Sequence, residues 1–134
     1  MKIHYISENN SILNHFLGQI RNTDVQNDSM RFRRNIERIG EIKAYELSKN
    51  LTYKHVEIQT PLGIKKTTEI AADLVLCSIL RAGLQLHTGF LNYFDNAENS
   101  FVSACRYHPN NDHEFEIRVE YQAVSNINNK TVLL

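Results

Sequence analysis

The sequence carries no excess charge of either sign: fifteen lysines and arginines offset fifteen aspartates and glutamates. A neutral chain has no global field drawing it onto nucleic acid or an anionic membrane, so any anion site must be local. Cysteine is scarce. Cys77 and Cys105 are the only two, and both fall in segments expected to be buried strands. That excludes a disulfide framework and leaves them as small buried apolar groups. No apolar run is long enough to span a membrane, and no signal peptide or lipidation motif is present. The expectation is a soluble cytoplasmic protein that binds neither membrane nor nucleic acid. Internal repeats, a P-loop, paired catalytic carboxylates and a Ser-His-Asp pattern are also missing. What remains is a core-forming composition, 42% hydrophobic and 22% charged over 134 residues, the size of one domain.

Ile12, Leu13, Phe16, Leu17 and Ile20 recur at helical spacing behind Ser11, a candidate N-cap. Asn27, Asp28 and Ser29 offer caps for a longer helix running to about Lys49. Its apolar stripe is Phe32, Ile36, Ile39, Ile42, Ala44 and Leu47. Arg31, Arg33, Arg34 and Arg38 interleave with Glu37, Glu41 and Glu46, as on a solvated helix laced with ion pairs. Residues 53–59 and 64–70 read as two strands joined by Pro61-Leu62-Gly63, a peripheral hairpin. A helix is expected from Leu84 to Phe94, then a strand from Phe101 to Tyr107. A polar tip over 108–113 leads into a segment where Phe115, Ile117, Val119 and Tyr121 alternate with charged residues. Alternation predicts one covered face and one wet face, on an arm projecting from the sheet. A last strand opens near Lys130. This order favours an α/β domain with a parallel core and a helical N-terminal layer.

The most informative stretch runs from Leu74 to Leu84. A continuous apolar run ends in Arg81-Ala82-Gly83, and a helix-like segment follows. Such runs are strands buried on both faces of a parallel sheet, and ligands of open α/β sheets bind past their carboxyl ends. Arginine and glycine there suit a phosphate or pyrophosphate, through a fixed cationic fork and close backbone approach. An ordinary strand end with a solvated arginine is the alternative. Arg106 stands at a second strand end, so two guanidiniums would converge on one polyphosphate if the two strands were close.

Ile79-Leu80-Arg81-Ala82-Gly83-Leu84 resembles the Ile-Leu-Arg-Ala-Gly-Leu element of uracil phosphoribosyltransferases. Ala44-Tyr45-Glu46, the 25-residue step from Arg81 to Arg106, Val119-Glu120-Tyr121 and the closing Lys130-Thr131-Val132-Leu133-Leu134 are similar to that family in order. The resemblance implies a type I phosphoribosyltransferase fold: a helical layer over 1–52, a peripheral hairpin over 53–72, and a partial α/β core over 73–134 with a β-arm at about 107–125. It implies the salvage reaction in which uracil and 5-phosphoribosyl 1-diphosphate give UMP and pyrophosphate, with Mg²⁺ bound alongside the diphosphate. Arg81, Ala82 and Gly83 match the family's pyrophosphate-contacting loop, and Arg106 its second diphosphate-contacting arginine. A homodimer is implied as well.

There are departures. Arg106-Tyr107-His108-Pro109 stands where the family commonly has Arg-Asp-Pro, and Gln85-Leu86 replaces Gly-Met. The family's 5′-phosphate loop would begin just past Leu134 and its uracil loop further on. The chain is therefore expected to be an N-terminal portion, truncated at the C-terminus and inactive alone, with no catalytic residue and no metal ligand identified. The alternative is a non-catalytic binding or dimerisation module on the same scaffold. An RNA-binding regulator would need a basic face that the charge balance does not supply. His87 is expected to be a packed or interface histidine, and His108 and His113, flanking Asp112, solvated loop residues. Tyr121 either helps close the site or packs.

Overall fold

Asp28 starts the longest helix. Its carboxylate accepts the Arg31 amide at 2.9 Å in a computed structural model that describes residues 3–108 and 115–134. Helix α1 spans Ile12–Arg21 and α2 spans Ser29–Ser48. Ser11 does occupy the N-cap of α1 with extended backbone, but its side chain makes no capping bond. The stripe of α2 is buried at Ile39 and Ala44 and half-buried at Ile36, Ile42 and Leu47, while Phe32 stays exposed. A polar residue of the same helix is buried as deeply as Ala44. Asn35 is fully buried, donating to Gln19 Oε1 at 2.7 Å and accepting from Arg38 at 3.1 Å. The Gln19 bond fastens α1 to α2, and both bonds offset the desolvation of a buried amide.

Strands β1 (Tyr53–Thr60) and β2 (Gly63–Ile70) form the expected hairpin, antiparallel along its whole length and joined to no other strand. Gly63 has φ +127°, a conformation that side chains disfavour, and Thr60 Oγ1 closes the turn by donating to the Gly63 carbonyl.

The remaining strands make one mixed sheet. After β3 (Leu74–Leu80) come helix α3 (Leu84–Leu91), β4 (Glu98–Tyr107), β5 (Glu116–Ala123) and β6 (Thr131–Leu133). The order is β5-β4-β3-β6, with β4, β3 and β6 parallel and β5 antiparallel to β4. Val75 and Leu76 of the central strand are buried, as a doubly covered strand requires. Leu76 packs with Ala44, Phe94 and Ala97, ringed by Leu47, Leu51, Ile70, Leu74, Phe90, Leu91 and Leu133. This cluster joins the sheet to α2 and α3.

Helix α3 crosses α2 at glycine. A β-carbon on Gly40 would lie 2.6 Å from the Leu86 carbonyl, and one on Gly89 would press into the Glu37 carbonyl. Asn92 then bridges the helices by donating to Glu41 at 2.7 Å.

Four expectations are corrected. Helix α3 stops at Leu91 rather than Phe94, and the chain turns instead so that the Phe94 amide bonds the Phe90 carbonyl. Strand β4 begins at Glu98 rather than Phe101, because parallel pairing with Val75 and Leu76 draws Glu98 and Asn99 into the ladder. Cys77 and Cys105 are half-buried, not buried. The alternation of β5 buries neither face: Ile117 is 61% and Tyr121 59% exposed. β5 is an edge strand paired only to β4, beyond the reach of the helices that cover β3.

Candidate active-site corner

At the carboxyl end of β3 the Leu80–Arg81 peptide is cis, and the chain folds back at once into α3. The Gly83 amide bonds the Ile79 carbonyl at 3.0 Å, the Leu84 amide bonds the Arg81 carbonyl at 3.2 Å, and the His87 amide bonds the Gly83 carbonyl at 2.9 Å. A β-carbon on Gly83 would come within 2.9 Å of the Ile79 carbonyl, so this turn needs glycine. The Gly83 amide is thus engaged within the turn. The amides of Arg81 and Ala82 donate to no backbone carbonyl among the described residues. Both residues are exposed at the N-terminal end of α3, where the helix dipole and amide donors favour negative charge.

Arg106 lies on the neighbouring strand at the same end. Leu80 pairs with Ser103 in parallel register, and Arg106 follows three residues later, about 10 Å further along the strand. Its guanidinium rests 4.5 Å from the centre of the Phe115 ring. On the opposite face of the same ribbon the Arg118 guanidinium sits 3.2 Å from the Tyr107 ring centre, with Glu116 at 3.8 Å. The structure therefore places Arg81, Ala82 and Gly83 in one turn, and Arg106 on the adjoining strand, paired with Ile117 toward the far end of the β4–β5 ribbon.

Beneath the corner lies a polar chain that sequence reasoning missed. His87, 5% exposed, has Nδ1 2.8 Å from Ser78 Oγ and Nε2 2.6 Å from Asn99 Oδ1, and its ring packs on Phe101. The expectation of a packed histidine fits this burial. Its partners sit on two different strands, and no local spacing links them.

Among the described residues the other chemistry-bearing groups add no second centre. Glu120, hydrogen-bonded to the Cys105 thiol, pushes that thiol above its ordinary range, which suppresses the thiolate. Among the described residues no three His, Cys, Asp or Glu side chains gather in a metal-binding group. Asp112 and His113 lie outside the described residues. A cavity of about 830 Å³ lies between His4–Ser7, α1 and the second half of α2, away from the corner.

A largely parallel sheet with helices packed on it, and an arginine-bearing turn at the carboxyl end of its central strand, define an α/β domain of the phosphoribosyltransferase type. The AQ2163 protein from Aquifex aeolicus has this fold: it matches with a TM-score of 0.78 at 24% identity, over 92% of this chain and 57% of that one. The chain belongs to the uracil phosphoribosyltransferase family, whose model matches residues 6–134. A uracil phosphoribosyltransferase from Porphyromonas gingivalis is 44% identical over 134 residues, which is 100% of this chain and 62% of the relative. One from Methanothermobacter thermautotrophicus is 33% identical over 109 residues, 80% of this chain and 49% of that relative. The chain thus spans less than two thirds of these relatives' length. No helix among the described residues is long and apolar enough to cross a membrane.

Proposed function

We propose that this chain supplies the diphosphate-binding side of an enzyme that transfers the phosphoribosyl group of 5-phosphoribosyl 1-diphosphate to uracil. The observation that carries the reading is the pairing of β3 and β4, which sets the Arg81–Gly83 turn and Arg106 at one end of two adjoining parallel strands. In this reaction the C1′–oxygen bond to the diphosphate breaks, a C1′–N1 bond to uracil forms, and the N1 proton leaves uracil. Negative charge grows on the departing diphosphate as the bond lengthens. The Arg81 guanidinium and the amides of Arg81 and Ala82 are the donors that would meet it, and preorganised donors favour the transition state over the ground state. Gly83 holds the turn in shape, and Arg106 meets the diphosphate from the arm.

Mg²⁺ would enter this reading with the diphosphate substrate, where it would supply further charge neutralisation. The corner's own groups, two arginines and backbone amides, suit the diphosphate and not the metal, so no side chain is put forward as a magnesium ligand. A homodimer is part of the same proposal. Support comes from the apolar side chains bared on the hairpin and the arm, Leu62 at 100% and Ile64 at 69% exposure among them.

The test has two arms. The chain as it stands is titrated with 5-phosphoribosyl 1-diphosphate, and the chain extended to its relatives' length is assayed for uracil-dependent pyrophosphate release. Release that depends on another base would overturn the uracil assignment. Saturable binding by the shorter chain combined with no turnover by the longer one would support the second reading, a non-catalytic binding module.

A further inference from the structure

We propose that His87 is a positioning residue for the diphosphate corner, acting through the hydrogen-bond chain Ser78–His87–Asn99; the proposal rests on the reading of that corner given above. The orientation of the Asn99 amide assigns the proton positions of the neutral ring. Asn99 Nδ2 faces the Ala97 carbonyl at 3.5 Å, so its Oδ1 is the atom turned to His87 Nε2 at 2.6 Å. A carbonyl oxygen only accepts, so Nε2 carries the proton. In the neutral ring Nδ1 is then the acceptor, and the Ser78 hydroxyl donates to it at 2.8 Å.

The imidazole bridges the seam between the two strands that carry the arginines. Ser78 is on β3 opposite Phe101, and Asn99 is on β4 opposite Leu76. The ring spans that gap with its face on Phe101, centroids 4.8 Å apart. It also reaches the turn. The His87 amide holds the Gly83 carbonyl at 2.9 Å, and Ser78 Cβ would be 3.3 Å from a β-carbon at Gly83. One buried side chain thus ties β3 and β4 to helix α3, whose first turn the residue's backbone amide holds to Gly83. Its loss lets the Arg81–Gly83 turn shift relative to Arg106. An apolar side chain of similar size would fill the space yet leave Ser78 and Asn99 without their partner.

The experiment is a pyrophosphate titration of the ¹⁵N-labelled chain, followed at the Arg81, Ala82 and Gly83 amides, for wild type, Ser78→Ala, Ser78→Thr, His87→Phe and Arg81→Ala. Ser78→Ala and His87→Phe should each weaken binding roughly tenfold, the scale of one lost hydrogen bond, while Ser78→Thr stays within about twofold of wild type. Imidazole ¹⁵N shifts of the wild type should show a protonated Nε2 and a bare Nδ1. Unchanged affinity in Ser78→Ala, or a proton on Nδ1, overturns the proposal. Ser78→Ala removes only the hydroxyl, so it stays decisive even where His87→Phe fails to fold. Amides that shift in wild type but not in Arg81→Ala uphold the corner itself. Amides that do not respond in wild type overturn the corner reading, and the positioning role with it.

Discussion

A β-carbon on Gly89 would stand 2.9 Å from Gly40 Cα, so α2 and α3 meet backbone against backbone with no room for a side chain. Glycine weakens a helix interior by about 1 kcal/mol relative to alanine, and here that cost secures the crossing. Gly89→Ala should therefore destabilise the fold by about 3 kcal/mol or more, as overpacking against rigid backbone does. Gly18, on α1, has nothing within 4 Å of its would-be β-carbon. Gly18→Ala should stabilise by about 0.5–1 kcal/mol. Urea unfolding of both variants checks the opposite signs, and the same sign in both would contradict the close crossing.

Arg81 makes no ion pair among the described residues, so its guanidinium is available to an anion. In the extended enzyme Arg81→Ala should cost ~1.5–3 kcal/mol of phosphoribosyl-diphosphate use, the range for a charged hydrogen bond. Steady-state kinetics with varied diphosphate substrate measures it. Kinetics equal to wild type would remove Arg81 from the site.

The Asp28 carboxylate accepts the Arg31 amide and lies near its guanidinium, and these hold it below its ordinary value of 3.8. A lowered folded-state value means that the ionised group stabilises the fold above the unfolded value. That contribution fades as pH falls through the folded value. Asp28→Asn keeps a capping oxygen but cannot titrate. It should lose less melting temperature than wild type between about pH 5 and about pH 2.5. Parallel acid limbs in the two proteins would refute the assignment.

Tyr107 and Arg118 meet across the β4–β5 ribbon. Tyr107→Leu should weaken that pairing by ~0.5–1 kcal/mol, the range for an exposed cation–π contact. Amide exchange should quicken in β5 and stay constant in β3. Equal acceleration in both strands would show that the arm and the core open together.

Much of the fold is legible in the sequence because its signals are local. Asp28 caps its own helix, Pro61-Leu62-Gly63 turns its own hairpin, and the apolar run into Leu80, interrupted at Ser78, marks the central strand. The turn at Arg81–Gly83 is legible for the same reason. Residues whose surroundings come from distant segments are not. Asn35 looks like a surface residue until Gln19 is brought beside it, and Ser78 and Asn99 gain their roles only when α3 lowers His87 between them. The alternation of β5 implies a covering layer, but alternation records which side chains share a face and not whether anything rests on it.

The topology also orders assembly in time. The hairpin joins residues adjacent in the chain and closes on the microsecond scale. The central sheet is different: β3 pairs with Thr131–Leu133 across all of α3, β4 and β5 in the chain. That pairing closes a long loop, whose entropy must be met before its contacts are gained. β6 is thus expected to dock late, after the rate-limiting barrier. Contacts it makes, such as Leu133 against the core, hold the finished structure shut rather than hurry its formation.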